Sequence, residues 1–445
     1  MNVLVLGSGG REHALVYKLR ESQHTQEIFC APGNAGIAAE AECFPADLTR
    51  PAEVLALAER LDAGLTVVGP EAPLAAGVVD EFQKAGRAII GPTRAAARLE
   101  TSKVFAKQFM QRHNIPSARF AVAESFDQAC QALRSFSLPV VIKADGLAAG
   151  KGVVVARTRE EAENALDGFL RRQVLGVAGK QVVIEEFLIG WEMSFILLVD
   201  VRGGILPFPP AQDHKALFDG DLGPNTGGMG AYSDDALISP SLHQEILSRI
   251  VRPTLEGMEF EGSPYHGFLY CGLMLASDGP KVLEYNVRLG DPETQPTLMR
   301  LRSDAVEILS ASLEGNLASV EGRWSPNPAV CVALASKGYP GVPDIGKVIE
   351  GCEAAESQGG VKLFHAGTVF RDGKLLTAGG RVLGVTAIAP DLESAIARAY
   401  VAVKMVHFEG MHYRKDIGAK GLRRSNPALE RMPPGLLPGT TPTSS

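Results

Sequence analysis

The first hundred residues alternate short apolar runs with segments of helical spacing, and this alternation restricts the fold more than any other feature of the chain. Each apolar run ends in glycine or proline, at Gly7, Pro32, Gly69 and Gly91. Such an alternation predicts a parallel sheet, because parallel neighbours need a crossover connection. The carboxyl ends of parallel strands line the ligand crevice of an open α/β sheet. The sequence therefore predicts a small-molecule site at these strand ends.

Composition restricts the ligands and the compartment. Lys and Arg number 44 against 51 Asp and Glu, so no global basic field exists to attract nucleic acid or an anionic membrane. The six cysteines form no C-x-x-C pair. The first residues, MNVLVLGSGGREH, do not have the pattern expected of a signal peptide, and no run of 18 apolar residues occurs. We therefore expect a cytoplasmic protein with no nucleic-acid or membrane partner, which holds phosphate through local contacts.

Beyond the first hundred residues the pattern changes twice. Helical segments surround the buried run LPVVIK and a glycine loop, and longer strands such as EMSFILLVDV follow. From about residue 328 antiparallel strands with glycine turns are closed by one helix, which indicates a smaller unit. The last stretch, RRSNPALERMPPGLLPGTTPTSS, is rich in Pro, Ser, Thr and Gly. We expect this tail to be disordered, because it cannot form a core.

The first glycine turn follows a strand and enters a helix. It contains Gly9, Gly10, Arg11 and Glu12. A dinucleotide-binding turn needs a small residue where Glu12 stands, so that fingerprint fails. A glycine turn at a helix N-terminus beside an arginine is instead suited to a phosphate monoester. A tight structural turn is the alternative.

A second glycine loop runs from Lys143 to Gly152. Three residues separate Gly146 from Gly150, and Gly152 follows Lys151, so the spacing is wrong for a Walker loop. Backbone N–H groups of such a loop can still cover phosphates. The loop is either a mobile lid over a nucleotide or a plain hairpin with solvated lysines.

The segment KVLEYNVRLGDPETQP carries the clearest chemistry. Strand alternation places Glu284, Asn286 and Arg288 on one face. The opposite face then takes the apolar residues Leu283, Tyr285 and Val287. A carboxylate and an amide oxygen two residues apart can ligate Mg²⁺ together, and a neighbouring arginine can hold a phosphoryl or acyl-phosphate group. The alternative is the polar face of an amphipathic strand.

Taken in order, the motifs resemble the glycinamide ribonucleotide synthetase family of the ATP-grasp superfamily. The resemblance covers essentially residues 1–422 and rests on GSGGREHAL, APGNAG, VGPEAPL, LETSK, VIKADGLAAGKGV, EEFLIG, QDHK, GPNTGGMGAY, NVRLGDPETQP, KGYPG and FHAGT. It departs at Trp191, where the family usually has glutamate. The resemblance implies ATP, glycine and 5-phosphoribosylamine as substrates, Mg²⁺ or Mn²⁺ as cofactor, and a monomer.

The implied fold class is a multidomain α/β and α+β chain. An N-terminal parallel-sheet α/β domain (1–102) would bind substrate, and an ATP-grasp core (103–327) would carry an inserted lid subdomain at about 121–188. A small C-terminal mixed β domain (328–422) and the disordered tail (423–445) would complete the chain.

The resemblance also assigns roles to individual residues. It implies that the ATP phosphates meet Lys103, Lys143 and the loop residues Gly146, Gly150, Lys151 and Gly152. The adenine and ribose would meet Glu185, Glu186, Phe187, Leu188 and Glu192. The metal ligands would be Glu284 and Asn286. Catalytic roles fall to Arg288 as acyl-phosphate clamp, to Lys143, and to Asp213 and Lys215 near glycine. The phosphoribosylamine would face Gly9, Gly10, Arg11 and Glu71.

Three alternatives stay open. The chain could be another ATP-grasp carboxylate–amine ligase, or a nucleotide-sensing protein without turnover, which the set Glu284, Asn286 and Arg288 disfavours. An NAD-dependent oxidoreductase rests only on the first glycine turn, and Glu12 disfavours it.

Overall fold

The computed structural model describes residues 1–146 and 152–425. Residues 1–101 form a parallel sheet of five strands in the order β3-β2-β1-β4-β5, with helices on its faces. The predicted N-terminal parallel sheet is thereby confirmed. Its strands are Asn2–Gly7 (β1), Ile28–Pro32 (β2), Glu42–Cys43 (β3), Ala63–Val68 (β4) and Ile89–Ile90 (β5). Its helices are Gly10–Arg20 (α1), Pro51–Arg60 (α2), Glu71–Ala76 (α3), Val78–Lys84 (α4) and Arg98–Thr101 (α5).

A second, antiparallel sheet follows. The described residues between 120 and 186 form four strands in the order β6-β9-β7-β8, with helices packed against them. Ser102 caps the helix that leads into this unit by accepting a hydrogen bond from the Phe105 backbone N–H. The elements are Lys103–Arg112 (α6), Phe120–Ala123 (β6), Phe126–Leu133 (α7), Val140–Ala144 (β7), Val153–Ala156 (β8), Arg159–Leu166 (α8) and Val182–Glu186 (β9).

The largest sheet begins after this unit. Its strands in this part of the chain are Trp191–Val199 (β10), Ile205–Pro207 (β11), Ala211–Asp213 (β12), Gly230–Ser233 (β15), Gly267–Ala276 (β16) and Gly279–Asn286 (β17). Ala216–Phe218 (β13) and Leu222–Asn225 (β14) form a separate two-stranded hairpin. The accompanying helices are Pro240–Ile246 (α9), Arg252–Phe260 (α10), Thr294–Arg300 (α11) and Ala305–Glu314 (α12).

The same sheet continues into the C-terminal part of the chain, because β15 pairs antiparallel with the next strand, Ala329–Ala335. The remaining elements are Ala329–Ala335 (β18), Cys352–Glu356 (α13), Val361–His365 (β19), Thr368–Arg371 (β20), Lys374–Thr377 (β21), Arg381–Ile388 (β22), Leu392–Val403 (α14) and Ala419–Ser425 (α15). The sheet order is β17-β16-β10-β12-β15-β18-β22-β19, with β11 beside β10. One sheet therefore connects the middle of the chain with its C-terminal part.

The strand β1 is buried on both faces, as expected for a central parallel strand. Leu4 and Leu6 belong to the same buried cluster as Leu269 and Leu273 of β16. The N-terminal sheet and the large sheet therefore share a core, which fixes the strand ends of the first sheet beside the second. Among the described residues, none of the helices combines the length and the apolar character needed to cross a membrane.

The alternation predicted for β17 is interrupted by a bulge. Gly272 pairs with Glu284 but Leu273 pairs with Val282, so Leu283 is an extra residue on β17. Leu283 packs with the small cluster around Leu188 rather than on the face predicted for it. Tyr285 and Val287 lie in the main core as predicted. The strand ends at Asn286, so Arg288 lies beyond the strand on which the pattern predicted it.

Candidate active site

A cleft of about 330 Å³ lies between the four-stranded sheet and the large sheet. It is lined by α6, by β7 and the segment after β9, and by the ends of β10, β12 and β17. The lining includes these residues predicted to bind or act: Glu71, Lys103, Lys143, Gly152, Glu185, Glu186, Phe187, Leu188, Glu192, Asp213, Lys215, Glu284, Asn286 and Arg288. Residues from distant parts of the sequence thus meet in one cleft.

One end of the cleft holds a buried group of two lysines and one carboxylate. Glu185 Oε2 lies 3.1 Å from Lys143 Nζ and 3.2 Å from Lys107 Nζ. Lys143 Nζ also donates to the Leu283 carbonyl at 3.0 Å. Burial lowers the pKa of Lys107 to about 8, against the opposing attraction of Glu185. Lys107 was missed in the sequence, although it stands one helical turn after Lys103 on α6 and its spacing could have revealed it.

The segment after β9 forms an apolar wall of the cleft. Leu188 is buried and clusters with Ala118 and Met274. Glu186 accepts a hydrogen bond from the Arg119 backbone N–H at 2.9 Å, and its neighbour Phe187 is exposed. The Glu185 carboxylate faces the two lysines, and its backbone pairs with β7 in the sheet, so the segment after Glu186 is the part of this wall that lies beyond the paired strand.

A second group of side chains in the cleft is acidic around one lysine. Lys215 Nζ lies 3.4 Å from Glu284 and 3.8 Å from Glu192. The attraction of Lys215 lowers the pKa of Glu284 to about 2, so its carboxylate is ionised. Burial raises the pKa of Asp213 to about 7, although Lys215 opposes this. An ionised carboxylate close to the amide oxygen of Asn286 is a hard-oxygen donor set suited to a divalent cation.

Arg288 connects this acidic side with the N-terminal sheet. Its guanidinium donates to Glu71 at 3.3 Å, to Glu100 at 3.0 Å, to Asn286 Oδ1 at 3.1 Å and to the Leu289 carbonyl at 3.1 Å. Glu100 also accepts from the Val287 backbone N–H at 2.7 Å. Burial raises the pKa of Glu100, although Arg288 opposes this. Glu100 was not identified in the sequence, since only the fold brings it to Arg288.

The first glycine turn lies behind this group. The described residues Gly9, Gly10 and Arg11 do not line the cleft. Arg11 is buried and donates to Glu12 at 2.6 Å and to the Leu289 carbonyl at 3.1 Å. The Glu12 side chain fills the turn, because a Cβ at Gly69 would lie 2.0 Å from its Oε1. The space that a dinucleotide would need is therefore occupied, which disfavours the NAD-dependent alternative.

The second glycine loop is described only at its ends. Lys103 Nζ donates to the Gly146 carbonyl at 3.2 Å, and Gly152 reaches the cleft before β8. The predicted phosphate contacts at Gly150 and Lys151 lie outside the described residues. Of the predicted tail (423–445), residues 423–425 belong to the helix α15, and the rest lies outside the described residues.

Family models match most of the chain. They are the N domain (residues 1–100), the ATP-grasp (A) domain (101–294) and the C domain (329–420) of phosphoribosylglycinamide synthetase. The chain belongs to this family. The resemblance predicted from the motifs is confirmed, and the fold class is the predicted α/β and α+β arrangement around an ATP-grasp core. ATP-grasp enzymes use ATP and divalent metal ions.

Relatives of the phosphoribosylglycinamide synthetase family match over nearly their whole length. The phosphoribosylamine–glycine ligase of Xylella fastidiosa is 50% identical over 430 residues, which are 96% of this chain and 99% of the relative. That of Ralstonia nicotianae is 50% identical over 425 residues, 95% of this chain and 100% of the relative.

Solved structures also resemble this chain over most of its length. The crystal structure of phosphoribosylamine–glycine ligase from Thermotoga maritima has a TM-score of 0.80 and 37% identity, covering 94% of this chain and 100% of that one. The biotin carboxylase domain of Hydrogenobacter thermophilus 2-oxoglutarate carboxylase, solved with MgADP and bicarbonate, has a TM-score of 0.70 and 16% identity. It covers 93% of this chain and 91% of that one, and shares the fold alone.

Proposed function

We propose that this chain ligates glycine to 5-phosphoribosylamine at the expense of ATP, giving glycinamide ribonucleotide, ADP and phosphate in purine biosynthesis. The observation that carries the proposal is the convergence of Glu284, Asn286, Lys215 and Arg288 on one cleft that is also lined by Lys143 and Lys107. Family membership and relatives named phosphoribosylamine–glycine ligase support the choice of substrates. A cytoplasmic location and a monomeric state remain predictions.

In this proposal the nucleotide lies along the lysine side of the cleft. Lys103, Lys143 and the loop Gly146–Gly152 would contact its phosphates, and the backbone of residues 185–188 would meet the adenine. Glu192, close to Lys215, would meet the ribose. The apolar wall around Leu188 supports this arrangement, because a purine needs a flat apolar neighbour as well as hydrogen bonds at its edge.

Glu284 and Asn286 would hold Mg²⁺ or Mn²⁺. The residues fit such an ion: Glu284 is ionised, both side chains offer oxygen, and Asn286 is buried at the cleft. When bound, the ion would supply positive charge that offsets the negative charge of the phosphates. Asn286 Oδ1 accepts a hydrogen bond from Arg288 and would offer its second lone pair to the ion.

The reaction follows from the weakness of a carboxylate as an acyl donor. One oxygen of the glycine carboxylate would attack the γ-phosphorus of ATP and release ADP, giving glycyl phosphate. Arg288 would stabilise the negative charge that develops on the transferred group. The amine of phosphoribosylamine would then attack the acyl carbon, lose a proton, and displace phosphate that carries the former glycine oxygen. A closed cleft would keep water from the intermediate.

The remaining assignments concern the other two substrates. Asp213 and Lys215 would bind glycine, since they lie together beside Glu284. Glu71 would meet the phosphoribosylamine from the N-terminal sheet. Gly9, Gly10 and Arg11 would form the rear of that subsite. Arg11 donates to the Leu289 carbonyl, and a Cβ at Gly9 would lie 3.3 Å from the carboxylate of Asp291, which lines the cleft.

Oxygen-labelled glycine tests the proposal. The label should appear in inorganic phosphate, with ADP as the other product, because one carboxylate oxygen leaves with phosphate. Glu284→Gln should weaken metal binding and abolish this transfer. Unlabelled phosphate, or AMP with pyrophosphate among the wild-type products, would exclude the acyl-phosphate route. ATP turnover that needs neither glycine nor phosphoribosylamine would exclude the ligase itself.

A further inference from the structure

Lys107 has no role in the reaction derived above, yet it is almost completely buried at the cleft. Its side chain is 3% exposed and that of Glu185 is 2% exposed. Burying an ammonium group is costly unless a charge compensates it, and Glu185 is the charge that Lys107 faces at 3.2 Å. Lys107 is therefore costly to bury at this cleft, and its charge must be compensated by its neighbours.

The arrangement of the three side chains is specific. Both lysines approach the same carboxylate oxygen, Oε2 of Glu185, one from α6 and one from β7. Neither Lys107 Nζ nor Glu185 Oε1 has a hydrogen-bond partner of good geometry among the described residues. The next acidic group that affects Lys107 is Glu284, which also lines the cleft. One negative charge is thus divided between two positive charges.

We infer that Lys107 is a positioning residue that shares the charge of Glu185, so that Lys143 keeps its positive charge for the nucleotide phosphates. This inference rests on the proposed function, which places Lys143 at those phosphates. With Lys107 present, Glu185 fixes the Lys143 side chain without neutralising it. Without Lys107, the Glu185 carboxylate pairs with Lys143 alone. The net charge of the Glu185–Lys143 pair is then zero, in a region where charges are poorly screened.

The inference predicts a particular pattern of ADP affinities, measured by calorimetry at pH 7. Lys107→Met keeps the length and apolar stem but removes the charge, and it should weaken ADP binding by about tenfold or more. Lys107→Arg should retain most of the affinity. Glu185→Gln should bind ADP at least as tightly as the wild type, because Lys143 is then free of the carboxylate.

The decisive variant combines the two changes. Lys107→Met with Glu185→Gln leaves Lys143 as the single charge of the group, so it should recover most of the affinity lost in Lys107→Met. Lys107 and Glu185 are in contact, so their effects are not expected to add. A purely structural role for Lys107 predicts that ADP affinity follows the free energy of unfolding across the variants, which urea denaturation of each variant measures. Absence of recovery in the folded double variant would overturn the inference.

Two further measurements distinguish the possible explanations of a change in ADP affinity. Lys18 is another buried lysine, paired with Glu21 at 2.6 Å on α1 and remote from the cleft, so Lys18→Met should leave ADP binding unchanged. If Lys107→Met does not fold, weaker ADP binding by folded Glu185→Gln would contradict the inference. Failure of the wild type to bind ADP would instead contradict the proposed function.

Discussion

Arg288 shows how much of the site depends on the shape of one side chain. Its guanidinium reaches acceptors from α3, from α5 and from β17 at the same time. A planar group with five N–H donors can do this, whereas an ammonium group is a single point of charge. The position therefore selects arginine in particular.

Arg288→Lys should lower kcat by about a hundredfold, equivalent to about 2.7 kcal/mol, while KM for ATP changes little. The reason is that two oxygens of a transferring phosphoryl group need the planar fork. Steady-state kinetics at saturating glycine and phosphoribosylamine measures the effect. Arg112, which makes a forked pair with Glu261 at the surface, provides the control, and Arg112→Lys should retain wild-type kinetics. Normal turnover by Arg288→Lys would give Arg288 a structural role.

At the scale of elements, the hairpin β13–β14 is attached to the C-terminal part of the chain. Arg414 is fully buried and donates to Asp416 through two bonds of 2.7 Å, and to Asp221 at 3.0 Å. Lys420 also pairs with Asp221, at 2.7 Å. Since Asn225, at the end of β14, lines the cleft, these contacts hold one wall of the site.

Arg414→Met should lower the free energy of unfolding by about 2–3 kcal/mol, because it leaves two carboxylates without their buried partner. Both carboxylates keep some contact with solvent, which limits the loss. Urea denaturation measures the change. In Arg249→Met, which removes a half-exposed arginine paired with Glu245, the loss should stay below about 0.5 kcal/mol. An equal loss in both variants would show that the hairpin is held by other contacts.

The end of the chain can be tested at the same scale. A chain that ends at Leu422 should keep its melting temperature and its activity, because the Pro-rich segment beyond it can bury little apolar area. A chain that ends at Ile417 should melt at a lower temperature, since it loses the buried Ala419 and Leu422, which packs on the C-terminal core. A large drop in the first truncation would show that the tail docks on the folded protein.

At the scale of the whole molecule, polar contacts join the first and last parts of the chain. Lys362 Nζ lies 2.9 Å from Glu40, which also contacts His13 Nε2 at 3.4 Å. The backbone N–H of His365 donates to His13 Nδ1 at 2.8 Å, so the proton of a neutral His13 ring lies on Nε2, facing Glu40. Burial alone would raise the pKa of Glu40, but hydrogen bonds from His13 and Lys362 lower it to about 2.

Glu40→Gln should therefore lower the free energy of unfolding in a pH-dependent way. A carboxylate whose pKa is lower in the folded state stabilises the fold above its unfolded pKa, near 4.5, and this stability is lost as the pH falls toward about 2. The difference between wild type and variant should be constant from pH 7 to about 5 and then shrink, as measured by urea denaturation. The exposed Glu53→Gln should show little change. A difference independent of pH would indicate packing rather than charge.

Local sequence patterns alone determined much of the fold and part of the candidate site. The parallel N-terminal sheet follows from alternation and strand-end glycines, and the cleft residues Glu284 and Asn286 follow from strand periodicity, since both are properties of neighbouring residues. Tertiary structure decided what depends on contacts between distant residues: the bulge at Leu283, the end of β17 before Arg288, and the single sheet that crosses from β15 to β18. The tertiary structure also places two lysines beside the Glu185 carboxylate and places Glu100 beside Arg288. A charge buried in the fold pairs with whichever group packing places beside it, and no local pattern of sequence records that neighbour.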